Sequence, residues 1–275
     1  MVFPSNLHCH TSYSDGNGQC EDYIRAAVEK GFISIGISDH SPAVYDECGI
    51  PAEKYTEYLA EMVSLKKKYR DIIEVYTGIE REYYAPFDSS GLDYVIGSSH
   101  YLKNESGEFI TIDYLHEDFK RAIDAFGSVQ ALVEKYYSNI ADIARVQKPD
   151  IIGHLDIVGK LNIDNCYFDE NSAWYDRLTN TVCDAIAQSG CIVELNTSGP
   201  AKKGRSDPFP RPPLLLKLRR RGIPTTLSSD AHATQDLDFW FSEGIPLLKE
   251  CGYQSIRMLR GGIFTDFPIH IKGEN

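Results

Sequence analysis

The chain is 275 residues long, 42% apolar and 25% charged, a composition that fits a globular protein with one large core and a single domain over residues 1–275. Its formal net charge of -12 at pH 7 argues against nucleic acid as a partner, because a negative surface repels phosphates. No run approaches 18 uninterrupted apolar residues, the opening MVFPSNLHCH has neither a basic nor an apolar leader region, and the seven cysteines form an odd set without a close CxxC pair; a cytoplasmic protein with reduced thiols and no membrane partner is expected.

Apolar runs of strand length recur along the chain. The first spans Asn6 to His8, and alternation there places His8 and His10 on one side and Cys9 on the other. A helical segment from Asp22 to Lys30, closed by Gly31, leads to a second strand from Ile33 to Ser38. Pro51 suits the first position of a helix over Ala52 to Arg70, where Tyr55, Leu59, Met62 and Tyr69 share a face. Strands are expected next at Ile73 to Ile79 and Tyr94 to Ser98. Residues 101–149 then fit two consecutive helices after a loop around Asn104 to Gly107, with Ser128 ahead of the second. Further strands are expected at Ile151 to His154, Ile192 to Asn196 and Pro224 to Ser228, with Gly190 and Gly222 closing the helices before the last two. Residues 199–213, rich in glycine, proline and basic side chains, read as a long loop over the site. Such alternation of strand and helix points to parallel strands wrapped by helices, as a barrel or as an open sheet.

Six of the eight histidines fall at or just after the ends of these strands. His8-Cys9-His10 sets two imidazoles at i and i+2, close enough to bind one ion. Apolar strands end in Asp39-His40, in Glu80, in His100, in His154 and in Asp230-Ala231-His232, groups that are costly to bury without a partner or a metal. In parallel α/β architectures the carboxyl ends of strands gather at one face, so ligands far apart in sequence converge in space. Asp15, in Tyr13-Ser14-Asp15-Gly16, reads locally as a turn residue, and His116 and His270 read as solvated. Arg219-Arg220-Arg221 closes a helix and favours the negative end of its dipole.

Taken together, His8-x-His10 with Asp15, Ser38-Asp39-His40, Gly78-Ile79-Glu80, Gly97-Ser98-Ser99-His100, Gly153-His154-x-Asp156, Glu194-x-Asn196-Thr197-Ser198-Gly199 and Ser229-Asp230-Ala231-His232 follow one another in a familiar order. The chain resembles the polymerase and histidinol phosphatase (PHP) superfamily, in its histidinol-phosphate phosphatase branch, over nearly its whole length. The resemblance implies an α/β fold, a distorted seven-stranded (β/α) TIM-like barrel, with a trinuclear metal site at its carboxyl face. By that pattern His8, His10, Glu80 and Asp230 hold one ion, Glu80, His100 and His154 a second, and Asp15, His40 and His232 a third. Glu80 bridges the first two. Nitrogen and oxygen ligands without thiolates suit two to three divalent ions of zinc, manganese or iron. The phosphate contacts it suggests are Lys160, Asn196, Lys203 and Arg205. Here the chain departs from the family: Gly159 stands where an arginine is common, and the basic pair after Gly199 is displaced to Lys202-Lys203.

The implied activity is hydrolysis of a small phosphomonoester, L-histidinol phosphate, to L-histidinol and phosphate in histidine biosynthesis. No side-chain nucleophile is required, because clustered ions lower the pKa of bound water toward about 7 and neutralise phosphoryl oxygens. Ser198, Ser228 and Ser229 belong to no Gly-x-Ser-x-Gly elbow. The same motifs fit a phosphoesterase for another small phosphate, a nucleotide or phosphotyrosine, which a substrate panel separates. They also fit a non-catalytic metal-binding protein, which would load metal without turnover.

Overall fold

The computed structural model describes residues 5–86, 88–201 and 206–269. β1 (Ser5–Asn6) leads to α1 (Cys20–Glu29), which opens with a reciprocal capping box between Gln19 and Asp22. β2 (Ser34–Ile37), α2 (Tyr55–Tyr69), β3 (Glu74–Thr77), β4 (Glu80–Glu82) and β5 (Ile96–Ser98) follow. A hairpin of β6 (Tyr101–Lys103) and β7 (Phe109–Thr111) precedes α3 (His116–Phe126) and α4 (Val129–Asp142). The rhythm resumes with β8 (Ile151–Ile152), α5 (Ala173–Ser189), β9 (Ile192–Asn196), the single turn α6 (Ser198–Ala201), α7 (Pro212–Arg220) and β10 (Thr225–Ser228). α8 (Phe241–Glu250) and an antiparallel hairpin of β11 (Ser255–Arg260) and β12 (Ile263–Pro268) complete the described chain.

The alternating strands pair in parallel, in the order β1-β2-β3 in one sheet and β10-β9-β8-β5-β4 in another. Parallel bridges join the two sheets, from Cys9 to Ala231 just beyond β1 and β10, and from His40 just beyond β2 to Glu80 at the start of β4. β2, β9 and β10 are buried at every position, as parallel strands covered on both faces must be. Parallel pairing aligns the strands' carboxyl ends, and that alignment places the site.

Two tyrosines tie the first sheet together. The Tyr58 hydroxyl lies 3.0 Å from the Ile37 carbonyl and 2.8 Å from that of Gly78, and Tyr94 donates to the Leu7 carbonyl. The Tyr94 side chain lies so close to Gly36 and Gly78 that a Cβ there would come within 2.1 and 2.2 Å of it. Both glycines therefore make room for a buried ring. Cys9 turns into the apolar core with its Sγ 3.1 Å from the Gly36 carbonyl, away from His8 and His10, as strand alternation requires.

Three segments differ from the sequence expectation. Residues 101–111 form the hairpin β6–β7 around Asn104, whose Oδ1 accepts from the Glu108 amide at 2.9 Å; strands of three residues are too short to show a period. Within 199–213, α7 already begins at Pro212, with proline at its first turn, and Phe209 pairs back to Asn196. The C-terminal hairpin buries Ile256 and Met258 and lies outside the strand–helix rhythm. All seven cysteines are free thiols. Among the described residues no helix is long and apolar enough to cross a membrane.

Candidate metal centre

Chain segments at or just past the parallel strands bring eight side chains together around Glu80, which is 1% exposed. Glu80 Oε1 lies 2.8 Å from His154 Nε2 and 3.5 Å from His100 Nε2. Its other oxygen, Oε2, is 3.0 Å from His40 Nδ1, 3.3 Å from His8 Nε2 and 3.5 Å from His10 Nε2. Asp230 Oδ1 sits 3.1 Å from His10 Nε2 and 3.6 Å from His8 Nε2. On the outer side Asp15 is 3.3 Å from His232 Nε2 and 3.8 Å from both His10 Nδ1 and His40 Nε2. Four overlapping sets have mutual ligand-atom distances within 4.8 Å: His10, Asp15, His40 and His232; His8, His10 and Asp230; His8, Glu80 and His154; His40, Glu80 and His100. His8, His10, His40 and Glu80 thus each serve two sets, a finer overlap than the partition the resemblance implies.

Local structure fixes these directions. Asp39, fully buried, accepts from the Thr11 amide and hydroxyl at 2.6 and 2.8 Å and from Ser14, which braces the turn carrying Asp15. The costly Asp39-His40 pair is therefore split: the aspartate has protein partners and the imidazole enters the cluster. Asp230 adopts φ +52, a left-handed geometry costing a non-glycine residue about 1–2 kcal/mol, immediately before Ala231 bridges to Cys9. Two carboxylates outside the set of nine stand behind it. Glu194 Oε2 is 2.9 Å from His8 Nδ1, and Glu82 Oε2 is 3.0 Å from His100 Nδ1. The sequence reading placed Glu194 in a family motif without giving it a role in the site and passed over Glu82, although Glu-x-Glu at 80–82 was an available signal.

The donor set fits divalent metal. His8 Nε2, both ring nitrogens of His10, Glu80 Oε2 and His154 Nδ1 are buried atoms without a hydrogen-bond partner among the described residues. Leaving such groups unsatisfied costs about 1–3 kcal/mol each, and a cation bound between them removes that cost. Protons otherwise do the neutralising. Burial opposes charge on His40, yet the Glu80 carboxylate beside it raises its pKa to about 9. Burial likewise opposes charge on His8 and His100, but Glu194, Asp230 and Glu80 around the first, and Glu80 and Glu82 around the second, lift both well above the usual range. His10 is pushed down to about 3 by burial and by its neighbours His40 and His232. Burial would raise Glu80 and Asp230, but the surrounding imidazoles hold both carboxyls well below the ordinary range.

Asp15, His40, Glu80, His100, Asp230 and His232 of the cluster line a cavity of about 610 Å³, whose wall also includes Tyr45, Asp46, Tyr101, Phe109, Asp113 and Arg121. Lys160 lines it too, with Nζ 2.9 Å from Asp113 Oδ2; burial raises the Asp113 pKa but the lysine prevails and holds it at about 2. Asn196 stands behind the cluster: its amide nitrogen is 2.9 Å from Glu194 Oε1 and 3.4 Å from Asp230 Oδ2, and its Oδ1 accepts from the Ser198 amide. Lys203 and Arg205, with Lys202, lie outside the described residues, as does His270. His116 is exposed and meets the Tyr167 hydroxyl at 2.8 Å. Arg121, a wall cation paired with Asp118 at 3.4 Å, carried no motif in the sequence.

A parallel α/β scaffold with imidazoles and carboxylates gathered at its strand ends defines a metal-binding class of protein. The PHP domain model matches residues 6–198, and the chain belongs to that family. It is 29% identical over 257 residues to the histidinol-phosphatase of Bacillus subtilis (strain 168), with 84% of this chain and 94% of that protein covered. A solved chain from Listeria monocytogenes superposes with a TM-score of 0.77 at 19% identity, covering 87% of this chain and 99% of its own. The histidinol phosphate phosphatase of Lactococcus lactis subsp. lactis Il1403, solved with zinc, L-histidinol and phosphate, gives a TM-score of 0.72 at 18% identity over 96% of this chain and all of its own. These structural likenesses establish the fold.

Proposed function

We propose that this chain is a metal-dependent phosphatase that hydrolyses L-histidinol phosphate to L-histidinol and phosphate, as a single cytoplasmic domain. The observation that carries the reading is the gathering of nine imidazole and carboxylate side chains in one cluster, six of which, Asp15, His40, Glu80, His100, Asp230 and His232, line a single cavity. The histidinol part rests on the match to the Bacillus subtilis histidinol-phosphatase across 94% of that protein. We read the scaffold as a distorted seven-stranded (β/α) barrel: β3 and β4 are parts of one extended segment separated by Gly78 and Ile79, and the bridges at Cys9 and His40 join the two sheets.

Two to three ions of zinc, manganese or iron would be held by His8, His10, Asp15, His40, Glu80, His100, His154, Asp230 and His232, with Glu80 shared because its two oxygens face different imidazoles. Divalent ions in such a set lower the pKa of water and neutralise phosphoryl charge. The chain's own contribution is to hold the anion against that centre. Lys160, kept in place by Asp113, adds a fixed positive charge on the cavity wall. In the reaction a water oxygen forms the new bond to phosphorus, the bond from phosphorus to the histidinol oxygen breaks, and that oxygen leaves with the electron pair and gains the proton that the water gives up. The wall aromatics Tyr45, Tyr101 and Phe109 enclose the organic part and keep bulk water from it.

The test is phosphate release from L-histidinol phosphate, nucleotides, phosphotyrosine and other phosphomonoesters by protein loaded with manganese, zinc or iron. Histidinol phosphate is expected to give the highest kcat/KM. A higher value for another ester would move the assignment to that substrate, and no turnover at full metal content would remove the catalytic reading.

A further inference from the structure

Among the six imidazoles of the cluster, two have carboxylates on their rear nitrogens. His8 Nδ1 faces both oxygens of Glu194, at 3.1 and 2.9 Å, while its Nε2 points toward Glu80 and Asp230. His100 Nδ1 faces Glu82 at 3.0 Å while its Nε2 points toward Glu80. Both carboxylates are buried, at 0% and 1% exposure, so neither is a surface charge that happens to lie nearby.

Glu194 is the more heavily bound. Besides His8 it accepts from the His154 amide at 2.7 Å, from Asn196 Nδ2 at 2.9 Å and from the Ser228 hydroxyl. It therefore ties together β9 and β10 and the segments after β1 and β8, and it touches two of the cluster histidines, one through its ring and one through its backbone. Glu82 accepts from the His100 amide at 2.8 Å through the same oxygen that meets the ring, and its Oε1 has no hydrogen-bond partner among the described residues. A carboxylate on Nδ1 keeps the proton there, leaves the Nε2 lone pair facing inward, fixes the ring plane and makes the imidazole a stronger donor.

We propose that Glu194 and Glu82 are positioning residues that set the metal affinity of the site by fixing the tautomer, orientation and basicity of His8 and His100. Glu194 carries the larger share, because it holds His8 and the backbone of His154 at once. The inference rests on the reading that the cluster binds divalent metal and is independent of which phosphoester is hydrolysed.

The experiment is a chelator competition that measures zinc affinity in the full chain and in Glu194→Gln, Glu82→Gln and Glu194→Leu, with far-UV circular dichroism of each. Glutamine keeps the shape and one acceptor but removes the charge, so a packing role alone would survive it. Each glutamine variant is expected to fold and to lose about tenfold to a hundredfold in zinc affinity, Glu194→Gln more than Glu82→Gln. Glu194→Leu, with no acceptor, is expected to lose more than Glu194→Gln. Cobalt-loaded Glu194→Gln is expected to show a changed visible ligand-field spectrum. Wild-type zinc affinity in a folded Glu194→Gln or Glu82→Gln would overturn the role of that residue, and should the Glu194 variants fail to fold, Glu82→Gln alone decides. Wild-type protein that binds no zinc would sink the metal reading itself, whereas zinc binding without histidinol phosphate turnover would leave this inference standing and remove only the proposed substrate.

Discussion

The metal cluster and the rest of the cavity wall are built by different means. Cluster side chains stand on or just beyond parallel strands, so their positions follow from backbone pairing: His10 accompanies the bridge from Cys9 to Ala231, and His40 pairs directly with Glu80. The wall is assembled from the loop after β2, the β6–β7 hairpin, α3 and the turn after β8, and its order comes from side chains meeting each other. Tyr45 stacks on Phe109 with ring centroids 3.9 Å apart and planes 9° apart, and the Tyr101 hydroxyl reaches Asp46 at 3.2 Å. Chemistry that cannot tolerate displacement is placed on paired backbone, and selection of the organic group is left to segments that can vary without moving the strands.

The largest effect expected from this contrast is at Glu80. Glu80→Gln preserves shape but removes the charge that five imidazoles face, so metal content should fall and kcat should drop at least about a thousandfold, or roughly 4 kcal/mol of barrier. Elemental analysis with steady-state kinetics checks it; full metal content with a near-normal rate would mean that Glu80 is not shared between ions.

Protons offer a second way to separate the regions. In metal-free protein His40 has a folded pKa of about 9 against about 6.5 unfolded, and His8 and His100 are raised in the same sense. Folding then retains protons that the unfolded chain releases. The stabilisation is complete below about pH 6.5 and is lost as pH rises through about 9, by up to about 1.4 kcal/mol per pH unit for each proton retained. Thermal unfolding in chelator should therefore show Tm falling from pH 6.5 to 9, while protein loaded with metal, whose ligand imidazoles carry no such proton, should show a flatter profile. Equal slopes would locate the titrating groups outside the cluster.

The scaffold under the cluster is tested by Gly36→Ala. The new Cβ meets the Tyr94 ring, and overpacking of this kind costs about 1–3 kcal/mol. Urea unfolding of metal-free protein measures it, and unchanged stability would show that the ring has room to move. The wall should respond least. Lys160→Ala is expected to raise KM for the best phosphomonoester about fivefold, roughly 1 kcal/mol, with metal content unchanged and an effect that shrinks with salt. A wild-type KM at low salt would leave Lys160 as no more than the partner of Asp113.

The sequence by itself determined the strand–helix rhythm and the residue types at each strand end. All seven expected strands have counterparts in the structure, because apolar runs ended by glycine, proline or polar residues are local signals. The same locality made His8, His10, His40, Glu80, His100, His154, Asp230 and His232 visible as polar groups closing apolar strands; Asp15 was indistinguishable from a turn residue until its place among the family motifs was considered. What only the tertiary structure decided is which groups share neighbours. His8, His10 and His40 each stand in two ligand sets, Glu194 and Glu82 reach imidazoles far away in sequence or across a strand, and Asn196 faces these supports. The cavity wall was hidden for a related reason. Three-residue strands have no readable period, and the pairing of Tyr45 with Phe109 or Lys160 with Asp113 depends on distances through space that no local pattern encodes.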